Sequence, residues 1–357
     1  MTVRDIPGKW TPTIEIDFGL AYEFLVSMMI FSDDDRDVYP YEVGNEWFEA
    51  ARAKISPELL KAIEQLSCCG DKGWASLLGL AYECAPPKDV PTFIEHVRAT
   101  DPLELRLHMI GYYQRHSRRT TPLDVILQAA EGDVEAQRQF LKTSFLDNPD
   151  WQEKLRDIFS IDPETMKNSF LDIFQNWYEQ VFCEMEQQVL PILQHDATAK
   201  QSLQQTMPLE RLIETATNGL EYVPEPGLRR VLLIPSFIER PWNNFSEYQD
   251  MKIYCYPVAD ESTAKDSAIP PARLVRLYKA LADERRLRIL KMLMTRSYSL
   301  QELADEFGVA KTTMHHHLAT LRTAGLVLTR PDEFQYSLRQ NMLSEVGELL
   351  NAYLKGK

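Results

Sequence analysis

The chain has 357 residues, 44% of them hydrophobic and 26% charged, which excludes a disordered or fibrous polymer and predicts a globular protein of two or three domains. No uninterrupted apolar run reaches the roughly 20 residues of a bilayer crossing, and the opening MTVRDIPGKW lacks the basic-then-apolar pattern of a secretory signal, so a cytoplasmic location is expected. The net charge of −14 is uneven: residues 270–357 hold 14 Lys and Arg against 9 Asp and Glu, a balance of +5, which leaves −19 on the other 269 and confines any polyanion binding to the C-terminal segment.

In chain order, FGLAYEFLVSMMIF (Phe18 to Phe31), SPELLKAIEQL, CGDKGWASLLGLAYEC and PLELRLHMIGYYQRH each place apolar residues three and four apart, and proline, glycine or acidic residues separate them. YYQRHSRR (Tyr112 to Arg119) clusters Arg115, His116, Arg118 and Arg119, which suit either a solvated helix end or an anion grip. The longest predicted helix, ETMKNSFLDIFQNWYEQVFCEMEQQVLPIL, carries one stripe of Phe170, Ile173, Phe174, Trp177, Val181, Met185 and Val189 and is expected to be a structural spine. After Gly227 the texture changes to strand-like runs, RRVLLIPSF and KIYCYPV, joined by a polar connection holding Asn243, Asn244 and Asp250. DESTAKDSAIPPAR (Asp260 to Arg273) then reads as a linker.

The fold class expected is mainly α: a large helical N-terminal domain closed by a small β element (1–267), a C-terminal domain (268–340) and an amphipathic last helix (341–357). Of 36 aromatic residues 30 lie before the linker, enough for a large core or for a pocket that takes an apolar or aromatic ligand. Cys68, Cys69, Cys84, Cys183 and Cys255 form no CxxC pair and predict reduced, buried thiols, the vicinal Cys68 and Cys69 suiting either small core residues or a response to oxidants or soft metals. GxSxG, Walker, GxGxxG and HExxH patterns are missing, so no catalytic residue, cofactor or metal is expected.

Beyond the linker the elements are more sharply specified. PARLVRLYKAL puts Leu274, Leu277, Tyr278 and Leu281 on one helical face, and Asp283 is placed to cap a helix whose core residues are Leu287, Leu290 and Leu293. SLQELADEFG supplies a capping box, Ser299 with Glu302, and a glycine stop at Gly308. A tight turn leads into a third helix, Lys311 to Ala324, with Met314, Leu318 and Leu321 inward. Helix, tight turn and helix form the helix-turn-helix pattern, and the strand-like LVLTR and FQYSLR around the bend Pro331 to Phe334 supply a wing.

Successive helical residues are about 100° apart, so His315, His316 and His317 cannot converge on one metal ion. Nor does any of them have a histidine at i+4, where Ala319, Thr320 and Leu321 stand. His317 falls at the core edge, whereas His315 and His316 project outward with Lys311, Thr312 and Thr313, a set of short hydrogen-bonding side chains suited to a DNA groove.

KALADERRLRILKML, SLQELADEFGVAKTTMHHHLATLRTAGLV and the hairpin that follows closely resemble the ArsR-type winged helix-turn-helix transcription regulators, over roughly Pro271 to Arg339. In that family LAD-x-x-R-x-x-IL opens the second helix, and a recognition helix of the form S-x-x-HL-x-x-L-x-x-AGLV follows. The resemblance implies a homodimer on a pseudo-palindromic operator, with recognition helices in major grooves roughly 34 Å apart. Carried over by position, Lys311, Thr312, Thr313, His315 and His316 look like the DNA-facing set, His317 the packing histidine and Arg330 a wing contact.

Three departures qualify it. The family's metal-sensing members carry a cysteine pair where this chain has SLQELAD; Ala310 replaces the usual small polar N-cap; and the wing bend carries Asp332 and Glu333, leaving Arg330 and Arg339 as the basic groups near it. The stripe Leu343, Val346, Leu350 and Tyr353 on the last helix suits either a dimer interface with the first helix of the motif or a return to its own domain. Three functions are consistent with this reading: a DNA-binding regulator whose first domain senses a small molecule or protein effector, an enzyme fused to a DNA-binding module, and a winged helix used for protein contact.

Overall fold

The computed structural model describes residues 12–33, 36, 40–67, 71–114, 121–143, 149–225, 227–263, 269–330 and 335–355. Cys68, Cys69, the cluster Arg115 to Arg119 and the wing bend with Asp332 and Glu333 lie outside these. The fold is mainly helical, with a small sheet in the N-terminal part and a winged helix-turn-helix at the C-terminus, as expected. No helix among the described residues is long and apolar enough to cross a membrane.

The chain divides into two compact units, one of residues 12–194 and 227–255, the other including 195–226 and 256–357. This partition differs from a single cut near residue 268: the segment 195–226, which precedes the strands in sequence, groups with the winged helix.

In the first unit, strand β1 (Thr13–Ile16) leads into helix α1 (Leu20–Phe31), every residue of which is buried. A helix apolar on all faces has to be wrapped on all sides. It packs against the short helices Asp71–Ala75 and Leu78–Glu83 and against helix α2 (Val90–Ala99). Phe24 of α1 meets Phe93, Phe174 and Phe182 edge-on at centroid separations of 6.4, 5.6 and 5.5 Å. Trp177 satisfies its indole N–H on the Ser27 hydroxyl (2.9 Å). These rings form a close-packed core.

The predicted spine is not one helix. Helix α3 (Pro163–Trp177) gives way to a π-helical turn, Tyr178–Phe182, before a second helix, Glu186–Gln204. A π turn inserts an extra residue and rotates everything beyond it. Phe182 is thereby fully buried, and Met185, expected in the stripe, is half-buried.

The sheet has order β1-β2-β4-β3, with β2 (Arg230–Ser236), β3 (Asn244–Tyr248) and β4 (Met251–Pro257). β1 runs parallel to β2 and β3 antiparallel to β4. The two inner strands are the ones expected. The outer two escape sequence reading because TIEI is short and NFSEY is polar, as suits edges. Just past the end of β2, the buried Glu23 accepts the backbone N–H groups of Phe237 and Ile238 (3.0 and 2.7 Å), and burial pushes its carboxyl up to about 7.

The second unit contains helix α4 (Leu209–Ala216) and a four-residue helix, Asp260–Thr263, where the sequence suggested only linker. It continues through helices α5 (Ala272–Leu281) and α6 (Glu284–Leu293), strand β5 (Tyr298–Ser299), helices α7 (Leu300–Phe307) and α8 (Lys311–Thr323), strands β6 (Val327–Arg330) and β7 (Gln335–Leu338), and helix α9 (Gln340–Leu354). Pro271 gives α5 no side-chain cap, and the Asp260 carboxylate instead accepts the Arg273 N–H (2.6 Å).

Candidate nucleic-acid interface

The exposed helix is positioned by local rules that can be followed residue by residue. Asp283 caps α6 by accepting the Arg286 N–H (2.9 Å). Arg286 then turns back and donates to the last carbonyls of α5, those of Ala280 (2.7 Å) and Lys279 (2.8 Å). Two side chains three residues apart therefore close one helix and open the next, which gives the LAD-x-x-R pattern its physical content.

Ile289, Leu290 and Leu293 turn inward from α6. Leu287, expected in the core, is half-exposed instead, and Ile289 takes the inner position.

Both halves of the capping box are present: Ser299 Oγ accepts the Glu302 N–H (3.2 Å), and Glu302 accepts the Ser299 N–H (2.7 Å). The backbone N–H of Ser299, together with Arg296, holds the Glu302 carboxyl below the usual carboxylate range. At the other end of α7, Gly308 adopts φ 61°, the left-handed stop that allows the tight turn.

Met314, Leu318 and Leu321 of α8 pack into one cluster with Leu303 and Phe307. That anchoring faces the opposite side of α8 outward. Lys311, Thr312 and His316 are exposed, and Thr313 and His315 are partly so, which brings five of the six sequence-predicted residues onto the first two turns of one helix. His317 sits at the core edge as expected, its Nδ1 4.0 Å from Asp283. Desolvation lowers its pKa, and the Asp283 carboxylate opposes that shift. Among the described residues no group of three or more His, Cys, Asp and Glu is arranged to hold a metal ion.

Ala310 makes no side-chain cap bond to α8, and Lys311 places a positive charge at the positive end of the helix dipole. Both features work against an isolated helix. Both also leave the leading amides and a cation to meet an anion.

The sixth residue lies elsewhere. Arg330, at the end of β6, makes a two-point bond to Glu221, Nε to Oε2 at 2.8 Å and the terminal nitrogen to Oε1 at 2.6 Å. Arg339 bonds Glu214 (2.8 Å) and Asn218 (3.2 Å). Sequence reading offered no signal for these partners, which stand 109, 125 and 121 positions upstream. The wing also has a third strand, since β5 pairs with β7, while β6 and β7 form the expected hairpin.

The last helix divides its apolar residues. Met342 is fully buried, and Val346 and Leu349 pack against the winged-helix core. Leu350 and Tyr353 line an open groove with Pro270, Leu274, Val275 and Tyr278 of the α5 region. Nothing is described for the side chain of Leu343.

A helix pair joined by a tight turn, with the second helix exposed and a three-stranded wing behind it, defines a winged helix-turn-helix, the architecture of DNA-binding transcription regulators. Residues 283–329 match the family model described as bacterial regulatory protein, arsR family. The transcriptional activator HlyU of Vibrio cholerae serotype O1 is 39% identical over 82 residues, 22% of this chain and 76% of the relative. An uncharacterised HTH-type transcriptional regulator, YceK of Bacillus subtilis, is 35% identical over 82 residues, 22% and 77% of the two chains. The HTH-type transcriptional regulator KmtR of Mycobacterium tuberculosis is 41% identical over 59 residues, 16% of this chain and 45% of that one. Through this C-terminal region the chain belongs to the ArsR family of bacterial transcription regulators. No solved structure matches it.

Proposed function

We propose that the protein is a sequence-specific, homodimeric transcription regulator that reads its operator with Lys311, Thr312, Thr313, His315 and His316, and whose N-terminal unit senses a small molecule or protein effector. In this reading the whole chain serves transcription regulation rather than catalysis. The observation that carries the reading is the orientation of α8: its apolar stripe is consumed by the core, so the polar residues of its leading turns are the ones presented outward. Thr and His side chains there suit base edges, and Lys311 with the uncapped amides suits phosphate.

The dimer is supported by the groove between α5 and α9. Val275 and Tyr278 are 36% and 40% exposed beside Leu350 and Tyr353, an apolar face that a second copy would cover. A mobility-shift assay with genomic fragments at rising salt tests the reading. Retarded complexes whose affinity falls steeply with salt are expected, because bound phosphates release counterions; the absence of any complex at low salt would overturn it.

A further inference from the structure

Resting on the DNA-binding reading above, we propose that residues 209–221 form a clamp on the wing, in which Glu221 occupies the Arg330 guanidinium that would otherwise reach a DNA phosphate. DNA affinity is then low while the clamp is seated and rises when it leaves.

β6 is an outer strand of the wing sheet, and its open edge is the place where another segment adds most readily. The segment after α4 does so. Thr329 donates its N–H to Gly219 O and accepts the Glu221 N–H on its carbonyl, both at 2.9 Å, forming a parallel bridge between Leu220 and Thr329. Close packing excludes a side chain at two glycines, one in the clamp segment and one in the winged helix. A Cβ on Gly219, at φ +120°, would lie 2.7 Å from Val327 O, and one on Gly325, at φ +70°, would overlap the Asn218 amide. Asn218 also donates to Thr323 O (3.3 Å), at the end of the recognition helix.

The two arginines are held differently. Arg339 and Glu214 are nearly sealed, with side-chain exposures of 10% and 12%, which makes that pair an anchor. Arg330 and Glu221 remain 36% and 32% exposed. With both side chains about a third exposed, the pair is open to solvent, so a phosphate can compete with Glu221 for the same two-pronged guanidinium. The clamp segment is also tethered at both ends to the N-terminal unit, which the chain leaves at Gln194 and re-enters at Gly227. A change in that unit reaches Glu221 along the chain.

The test uses the full-length protein and a labelled mixed-sequence duplex of about three helical turns, because phosphate contacts need no operator. Affinity is followed over a salt series by fluorescence anisotropy. Glu221→Gln is expected to bind several-fold more tightly at low salt, with the slope of log affinity against log salt steeper by about 0.9 per protomer, the value of one added phosphate contact. Arg330→Gln alone is expected to keep the wild-type slope, and the double substitution to return to it. Glu210→Gln, an equal change of charge on the exposed side of α4, is expected to leave the slope unmoved, whereas Gly219→Ala, which unseats the strand sterically, should steepen it like Glu221→Gln. An unchanged slope for Glu221→Gln in a protein that binds the duplex overturns the clamp alone, as does a shallower slope for Arg330→Gln. Failure of the wild type and every variant to bind at low salt removes the DNA-binding reading and the clamp together.

Discussion

Single residues carry most of what the winged helix needs, and they do so through hydrogen bonds whose loss has a known scale. Ser299→Ala removes one half of the capping box, and denaturant unfolding should show a loss of about 0.5–2 kcal/mol; an unchanged midpoint would mean that α7 does not depend on its cap. Glu23 provides a pH signature in the other unit. Its pKa in the fold, about 7, lies above its ordinary 4.5, so the native state holds a proton that the unfolded chain releases. Its contribution is therefore greatest below pH ~4.5 and is lost as pH rises through ~7. Glu23→Gln should flatten the fall in stability across that window, and a variant with the wild-type pH profile would contradict the assignment. At this scale the sequence was highly legible wherever the relevant contact is three or four residues away, as for Asp283 with Arg286 and Ser299 with Glu302. It was silent where the partner is remote: nothing in TNGLEYV marks Glu221 as the partner of Arg330.

At the scale of elements, periodicity located most helices and the two inner strands. The outer strands β1 and β3 were missed because their polar residues suit an edge and so resemble loop. The single long helix was overestimated because a π turn leaves the apolar spacing almost intact while breaking the hydrogen-bond ladder at Tyr178–Phe182. Helices α5 and α9 show the reverse case, where periodicity was right and the destination of the stripe was open. Of the predicted stripe, Val346 returns to the core, joined there by Met342 and Leu349 from outside it, while Leu350 and Tyr353 line the groove with Tyr278. Tyr278→Asp should therefore leave the winged helix folded, with unchanged far-ultraviolet circular dichroism, while shifting the sedimentation equilibrium of the proposed dimer towards monomer. A dimer of undiminished strength would place the interface elsewhere.

For the whole molecule, charge and chain path belong together. Residues 270–357, which include α8, carry a net charge of +5 against −19 on the rest of the chain, so by sequence any attraction to a polyanion belongs to that segment. Composition alone revealed that division. It did not reveal that 195–226 groups with the winged helix, because the segment's helical texture is like that of its neighbours and its assignment depends on contacts with residues more than a hundred positions away. That the leading turns of α8 read base pairs is the proposal on which the regulator depends. It is tested most directly by the ratio of operator to non-specific affinity, measured at one salt concentration for the wild type and for Thr313→Ala with His316→Ala, on a fragment recovered by chromatin capture. Each lost base contact is expected to remove about 1–3 kcal/mol of discrimination, so the ratio should fall by an order of magnitude or more while non-specific binding holds; a ratio equal to the wild type's would contradict the claim.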